Sequence, residues 1–295
     1  MTVSLERPQA LKESRAVIRT RRYFAENGGL VFACLVLLAL FVVPLLNVIL
    51  RSFTDPSLGL ANYETVFTGV VYGKVIVNTV ISAVLCTVAS VVLAYPLAYA
   101  AANMGRRVRR IVVGIVLFAY VSGSVPRAFA WLVVLGDRGL INSVLTSWFG
   151  LEQPIQLIYN LFGVVVGMVH SMLPFTVLLL LGSMARVNGA LVPAARTLGA
   201  GPIRAFLSVY LPLTRSGILA AGMLVLIYSF GFYVVPAVLG GAGQTTVVMM
   251  IQNLTLNLGA WGLGSSLAVL VSLVAAVGAL IYLRITGLSS LSEED

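Results

Sequence analysis

Between Leu161 and Met184 the chain reads LFGVVVGMVHSMLPFTVLLLLGSM, with no ionised side chain, and five other stretches come close to doing the same. The six runs are Gly29–Leu50, Val75–Ala101, Ile111–Leu135, Leu161–Met184, Gly217–Leu239 and Gly264–Leu283. About 20 apolar residues, rising about 1.5 Å each in a helix, cross a hydrocarbon core of about 30 Å. The runs are continuous and lack the two-residue alternation of a barrel strand, so they predict helices. Apolar residues make up 59% of the chain and charged ones only 10%, against roughly 25% charged in a soluble domain. That excludes a soluble enzyme, a disordered chain and a conventional nucleic-acid-binding domain. The expectation is an all-α polytopic membrane protein with six transmembrane helices. The third run also holds Ser122, Ser124, Pro126 and Arg127, which predicts a kinked helix lining something other than lipid.

Positive charge sets the predicted topology. The N-terminal segment carries Arg7, Lys12, Arg15, Arg19, Arg21 and Arg22, and GRRVRR between the second and third runs carries Arg106, Arg107, Arg109 and Arg110. The fourth-to-fifth connection carries Arg186, Arg196, Arg204 and Arg215 with no acid, whereas the alternate loops hold only Arg51, Lys74 and Arg138. Lys and Arg collect on the cytoplasmic side, so both termini are expected there. Residues 1–28 then form a cytoplasmic basic segment, 29–284 the transmembrane domain, and 285–295 a cytoplasmic tail ending in Glu293, Glu294 and Asp295. The basic segment is either a short helix on the anionic inner leaflet or a loose positive-inside anchor. Cys34 and Cys86 lie inside apolar runs and read as small buried hydrophobes, and no metal-ligand spacing occurs.

The predicted membrane interior contains no Asp or Glu. Carriers driven by protons or sodium ions usually place carboxylates or unwound half-helices there, so a secondary carrier is disfavoured. The single histidine, His170, has no acidic neighbour in its run, so no catalytic residue is assigned. Lys12 and Lys74 are the only lysines and neither follows a phosphate-binding glycine loop. Any ATP used in transport must therefore bind another polypeptide.

The connection over 186–215 is patterned rather than loose. Pro193 suits the first position of a helix that continues through Ala194, Ala195, Arg196, Thr197 and Leu198. Gly199 is placed to end it in a left-handed conformation, with Ala200, Gly201 and Pro202 prolonging the break. A second short helix is predicted from Ile203 through Arg204 to Tyr210, closed by Pro212 before the fifth span. Such a helix–break–helix elbow is shaped to dock in a groove on a soluble partner.

The stretch Pro193–Ala221, PAARTLGAGPIRAFLSVYLPLTRSGILAA, resembles the "EAA" signature of permease subunits of binding-protein-dependent ABC importers. Ala194, Ala195, Leu198, Gly199, Ala200, Leu211 and Pro212 match it, while Pro193 stands where the signature usually has glutamate. Asn78-Thr79 resembles the family's Asn-Thr entry to the second span. Val125–Trp131 (VPRAFAW), Val169–Phe175 (VHSMLPF) and Ser229–Gly241 (SFGFYVVPAVLGG) resemble the spermidine/putrescine permeases.

This resemblance implies a type I ABC importer permease fold in the bacterial cytoplasmic (inner) membrane. It implies a second, similar permease subunit, two cytoplasmic ATPase subunits that hold ATP and Mg, and an extracytoplasmic substrate-binding protein. No cofactor is expected on this chain. The implied substrate is a polyamine or a related amino compound. Arg127, Trp131, His170, Tyr228, Phe232 and Tyr233 are candidates for the substrate path, the aromatic faces being suited to a passing ammonium. Each also has an ordinary alternative: Arg127 pairing with backbone carbonyls, His170 in an interhelical hydrogen bond, Trp131 and Trp261 as belt anchors, and the other aromatics in helix packing. A carrier or channel without an ATPase, and a non-transporting scaffold or sensor subunit, are the alternative functions.

Overall fold

In lipid a backbone must satisfy its own hydrogen bonds, and long apolar runs do so as helices. The computed structural model describes residues 7–291, with side chains from 32 to 284, and no strand occurs among the described residues. In chain order the helices are α1 (Arg7–Thr54), α2 (Ala61–Thr68), α3 (Val70–Asn103), α4 (Arg106–Val121), α5 (Ser124–Leu135) and α6 (Leu140–Phe149). There follow α7 (Leu161–Met184), α8 (Leu191–Thr197), α9 (Pro202–Ala205), a π-turn at Phe206–Tyr210, α10 (Leu211–Phe230) and α11 (Val234–Leu239). A 3₁₀ turn at Ala242–Gln244 leads to α12 (Val247–Gln252), a second π-turn at Asn253–Asn257 and α13 (Trp261–Leu291). Among the described residues, six stretches are long and apolar enough to span a membrane.

Residues Met1–Arg51 and Ser52–Asp295 form two separate units. The first is helical from Arg7, so the basic segment and the first apolar run share one helix. Its sequence between Pro8 and Gly28 contains no helix breaker, which explains the continuity. Its apolar side chains, Phe32, Leu38 and Phe41 among them, are exposed along the span. Cys34 is exposed there too, contrary to the expectation of burial, whereas Cys86 is fully buried. The side chains of residues 1–28 and the acids at 293–295 lie outside the described residues.

In the second unit α7 is central, with 56% of its most apolar window buried against 11% for the sixth span. Ala94, Ala98 and Ala101 present a small-residue face of α3, fully buried among Val177, Leu180 and Met184 of α7. Lipid is as apolar as leucine, so close van der Waals approach, more than exclusion of water, holds such helices together. Near the other end of α7, Gly167 lets α11 come into contact. A Cβ there would sit 2.6 Å from Leu239 Cδ1 and 2.7 Å from Val235 Cγ1.

The fourth span has the predicted bounds, but the third and fifth differ. The third is not one kinked helix: α4 stops at Val121, Gly123 turns the chain with φ +74°, and α5 restarts at Ser124. The span-length apolar stretch in this region is 124–149, shifted from 111–135. The fifth ends at Phe230 rather than Leu239. Pro236 lacks an N–H and its ring would strike the carbonyl of Phe232, so an uninterrupted helix is disfavoured. The chain breaks at Gly231–Tyr233 and restarts as α11, placing Pro236 in the first turn, where no N–H is needed.

Candidate functional site

The elbow begins with Asn188, whose Oδ1 accepts from the Ala190 N–H at 3.0 Å and turns the chain into α8. Leu191 opens that helix, so Pro193 occupies its third position rather than its first. Both positions belong to the first turn, whose N–H groups lack intrahelical partners, so proline is equally tolerated. Gly199 has φ +92°. The Ala200 N–H reaches the Ala195 carbonyl and the Gly199 N–H the Arg196 carbonyl, both at 3.1 Å. This pair of bonds is a Schellman ending, which uses the last carbonyls of α8 and fixes the angle of the break.

Pro193, Ala194, Arg196, Leu198 and Arg204 are exposed, and Ala195 and Ala200 are half-buried. Leu198 is 90% and Ile203 74% exposed, large apolar side chains in a basic, solvated segment. Beyond the break Pro212 does not close a separate helix. Residues 202–230 run on without interruption through the π-turn, where the Leu211 N–H bonds the Phe206 carbonyl. A π-turn widens the backbone at the point where the Pro212 ring would otherwise crowd the preceding turn, and so absorbs the proline.

Two helical faces meet at this end. Tyr95, Tyr99 and Asn103 recur every fourth residue on α3, as do Phe206, Tyr210 and Thr214 on the elbow's outgoing helix. Tyr99 meets Phe206 and Tyr210 edge-on, at centroid distances of 5.5 and 4.9 Å. Asn103 Nδ2 donates to Tyr210 Oη at 2.8 Å, and the Tyr95 and Thr214 hydroxyls bond at 2.9 Å. Tyr210 is only 2% exposed. Of these residues the sequence reading named only Tyr210, as the end of the second short helix, although the shared four-residue spacing was a legible signal.

The path candidates divide. Arg127 Nε donates to the Gly123 carbonyl at 2.5 Å and Nη1 to the Ser171 carbonyl at 3.4 Å, so its charge is met by backbone oxygens. Trp131 Nε1 donates to His170 Nδ1 at 2.9 Å across α5 and α7. That accepting role assigns neutral His170 its proton on Nε2, and Trp131 is engaged between helices. Arg127, Trp131 and His170 are thus gathered where α5 meets α7. Phe232 packs with the buried cluster around Val235 and Leu239. Tyr228 is 58% exposed with its ring against Phe175 at 5.2 Å, and Tyr233 is exposed as well. Phe232 is therefore packed, whereas the two tyrosines are open.

At the end of α7 away from the elbow, a knot of backbone bonds joins distant segments. Asn78 Nδ2 donates to the Gly243 carbonyl at 2.6 Å, and Thr79 Oγ1 accepts from the buried Val247 N–H at 2.9 Å. The Tyr159 N–H bonds the Leu239 carbonyl at 2.8 Å, and Asn160 caps α7 through the Gly163 N–H at 3.0 Å. Asn78-Thr79, noticed in the sequence only as a resemblance, fastens the loop that follows α11.

Residues 94–292 match the family described as "Binding-protein-dependent transport system inner membrane component". Among known proteins, the spermidine/putrescine transport system permease protein PotB of Escherichia coli (strain K12) is 29% identical over 184 residues, 62% of this chain and 66% of the relative. The chain thus spans about two thirds of that relative's length. PotB of Haemophilus influenzae is 28% identical over 223 residues, 76% of this chain and 78% of the relative. A putative 2-aminoethylphosphonate transport system permease protein PhnU of Salmonella typhi is 26% identical over 125 residues, 42% of this chain and 43% of the relative. In fold, the chain is similar to a bacterial ABC transporter that imports the acidic polysaccharide alginate. The TM-score is 0.68 at 17% identity, covering 92% of this chain and 98% of the other. A second alginate transporter structure, in complex with an alginate pentasaccharide-bound periplasmic protein, gives 0.73 at 16% identity, covering 91% and 96%. The chain belongs to the binding-protein-dependent inner membrane components: it is an ABC importer permease subunit, a multi-pass protein of the inner membrane and not an enzyme.

Proposed function

We propose that this permease forms half of the translocation path for a polyamine or a related amino compound, and that its elbow over 186–215 docks on a cytoplasmic ATPase. The observation that carries the docking half is the exposure of Leu198 and Ile203 on either side of the Gly199 break. Two large apolar side chains held on a fixed turn among Arg196 and Arg204 suit a partner's groove. ATP and Mg belong to that partner, of which two copies serve the complex. A second permease completes the path, and an extracytoplasmic binding protein delivers the substrate. The periplasmic protein in the alginate transporter complex supports that last partner.

The substrate class rests on PotB and PhnU, whose names share amino-bearing cargo. Neither α3, α5, α7 nor α10 carries a carboxylate, so discrimination of a cation falls to the binding protein or the second permease. A path that binds weakly also releases its cargo. Affinity purification in mild detergent, with identification of co-purifying chains, tests the assembly. Recovery of an ATPase and a second polytopic chain supports it, and recovery of this chain alone, folded and in full yield, refutes it. Uptake of labelled putrescine, spermidine and 2-aminoethylphosphonate by cells with and without the gene tests the substrate class, which loss of none of the three would overturn.

A further inference from the structure

Chain connectivity joins the elbow to α7 before it and α10 after it. The side chains make a further connection, to α3. Tyr95, Tyr99 and Asn103 face Phe206, Tyr210 and Thr214 over two antiparallel turns, with a hydrogen bond at each end and edge-on rings between them. Phe206 also stacks on Tyr210 at 6.0 Å, and Tyr95 meets Phe206 edge-on at 6.1 Å. The latch lies on the π-turn and the first turn of α10, in the outgoing half of the elbow, and Tyr210 within it is almost fully buried. Packed aromatic contacts of this kind occupy discrete arrangements and resist gradual sliding.

We infer that this aromatic latch makes the second span a receiver of elbow movement, so that α3 travels with the elbow and α10 as one body when the ATPase closes. Tyr99, Asn103, Phe206 and Tyr210 are then positioning residues for energy coupling. α3 also holds the knot at the far end through Asn78 and Thr79, so a displacement passed to α3 reaches the loop at 243–247. The inference rests on the proposed docking of the elbow, and its test separates the two.

The test uses the intact complex co-purified with its ATPase, in a Cys34→Ser, Cys86→Ser background carrying Tyr95→Cys and Thr214→Cys. That pair removes the Tyr95–Thr214 hydrogen bond and the Tyr95–Phe206 ring contact, and leaves the Tyr99, Phe206 and Tyr210 rings and Asn103 in place. A short bifunctional methanethiosulfonate bridges the two thiols, and its rate is compared without nucleotide and after trapping with ATP and vanadate. A latch that moves as one body gives rates that agree within about twofold. Adding Phe206→Ala frees the helices, and the two rates then differ by about fivefold or more, the lower end of ordinary coupling between sites. Phe206→Tyr restores the agreement, and Phe206→Leu replaces Phe206→Ala if the latter does not accumulate. State-dependent bridging in the parent, or unchanged bridging after loss of the ring, overturns the latch. Failure of any ATPase to co-purify overturns the docking instead.

Discussion

Gly199 is where the proposed coupling is most open to a clean test. Its φ of +92° belongs to a conformation that costs an L-residue about 1–2 kcal/mol. A Cβ built there meets nothing within 4 Å, so Gly199→Ala introduces no clash, and the backbone term stands alone. Two residues on, Gly201 also faces open space but has φ −62° and ψ 163°, which alanine adopts freely. The two substitutions therefore differ in backbone strain and in little else. A strain of about 1–2 kcal/mol lowers the ratio of the docking-competent elbow to its other conformations by roughly 5–30-fold. The apparent Kd of the ATPase for the permease rises by up to that factor. Titration of purified ATPase onto detergent-solubilised permease, with bound fraction measured after pull-down, reads it directly. Gly201→Ala should leave the Kd unchanged, and Gly199→Asn should fall between, because asparagine enters the left-handed region more easily. Equal Kd values for Gly199→Ala and Gly201→Ala would refute the role assigned to the break.

Three further outcomes follow from the geometry. Gly167→Val drives a side chain into Leu239 and Val235 and should destabilise the folded chain by about 1–3 kcal/mol, read as a lower Tm in detergent. Gly182→Ala on the same helix, where a Cβ meets nothing, should leave Tm unchanged. Thr79→Val strips the buried Val247 N–H of its acceptor at about 1–3 kcal/mol, whereas Thr79→Ser keeps the bond and should retain nearly all stability in the same melting assay. In cells carrying Cys34→Ser, a cysteine at Asn188 should react with a membrane-impermeant maleimide only after the membrane is opened, and one at Gln153 before it. The reverse pattern would invert the topology.

The parts of the fold that one helix decides by itself were legible. Leu161–Met184 is uniformly apolar between Asn160, which caps it, and the elbow, and it forms one helix with those bounds. Gly199 signalled its left-handed turn because few other residues accept one. What escaped depends on two segments meeting or on local adjustment of the ladder. Pro212 reads as a terminator, yet the π-turn before it lets the helix run on. Pro236 reads as tolerable within a span, yet the helix stops six residues earlier, at Phe230. The latch could not be read from either helix alone, because Tyr95 and Thr214 lie 119 positions apart. Pairing of Arg127 with backbone carbonyls was among the readings of the sequence, but which carbonyls, those of Gly123 and Ser171, carries no sequence signal.

The knot at the end of the bundle away from the elbow is made almost entirely of main-chain carbonyls and amides, joined by small polar side chains at Asn78, Thr79 and Asn160. Such a joint asks little of the residues around it. Substitutions on the neighbouring loops leave its bonds standing so long as the glycines at 240 and 241 can approach Pro236, Val164 and Tyr159. The side chains of the loops around the joint can therefore change while its bonds stay the same. The interchangeable part and the permanent part are adjacent in space, and their separation is chemical: one is written in side chains and the other in backbone.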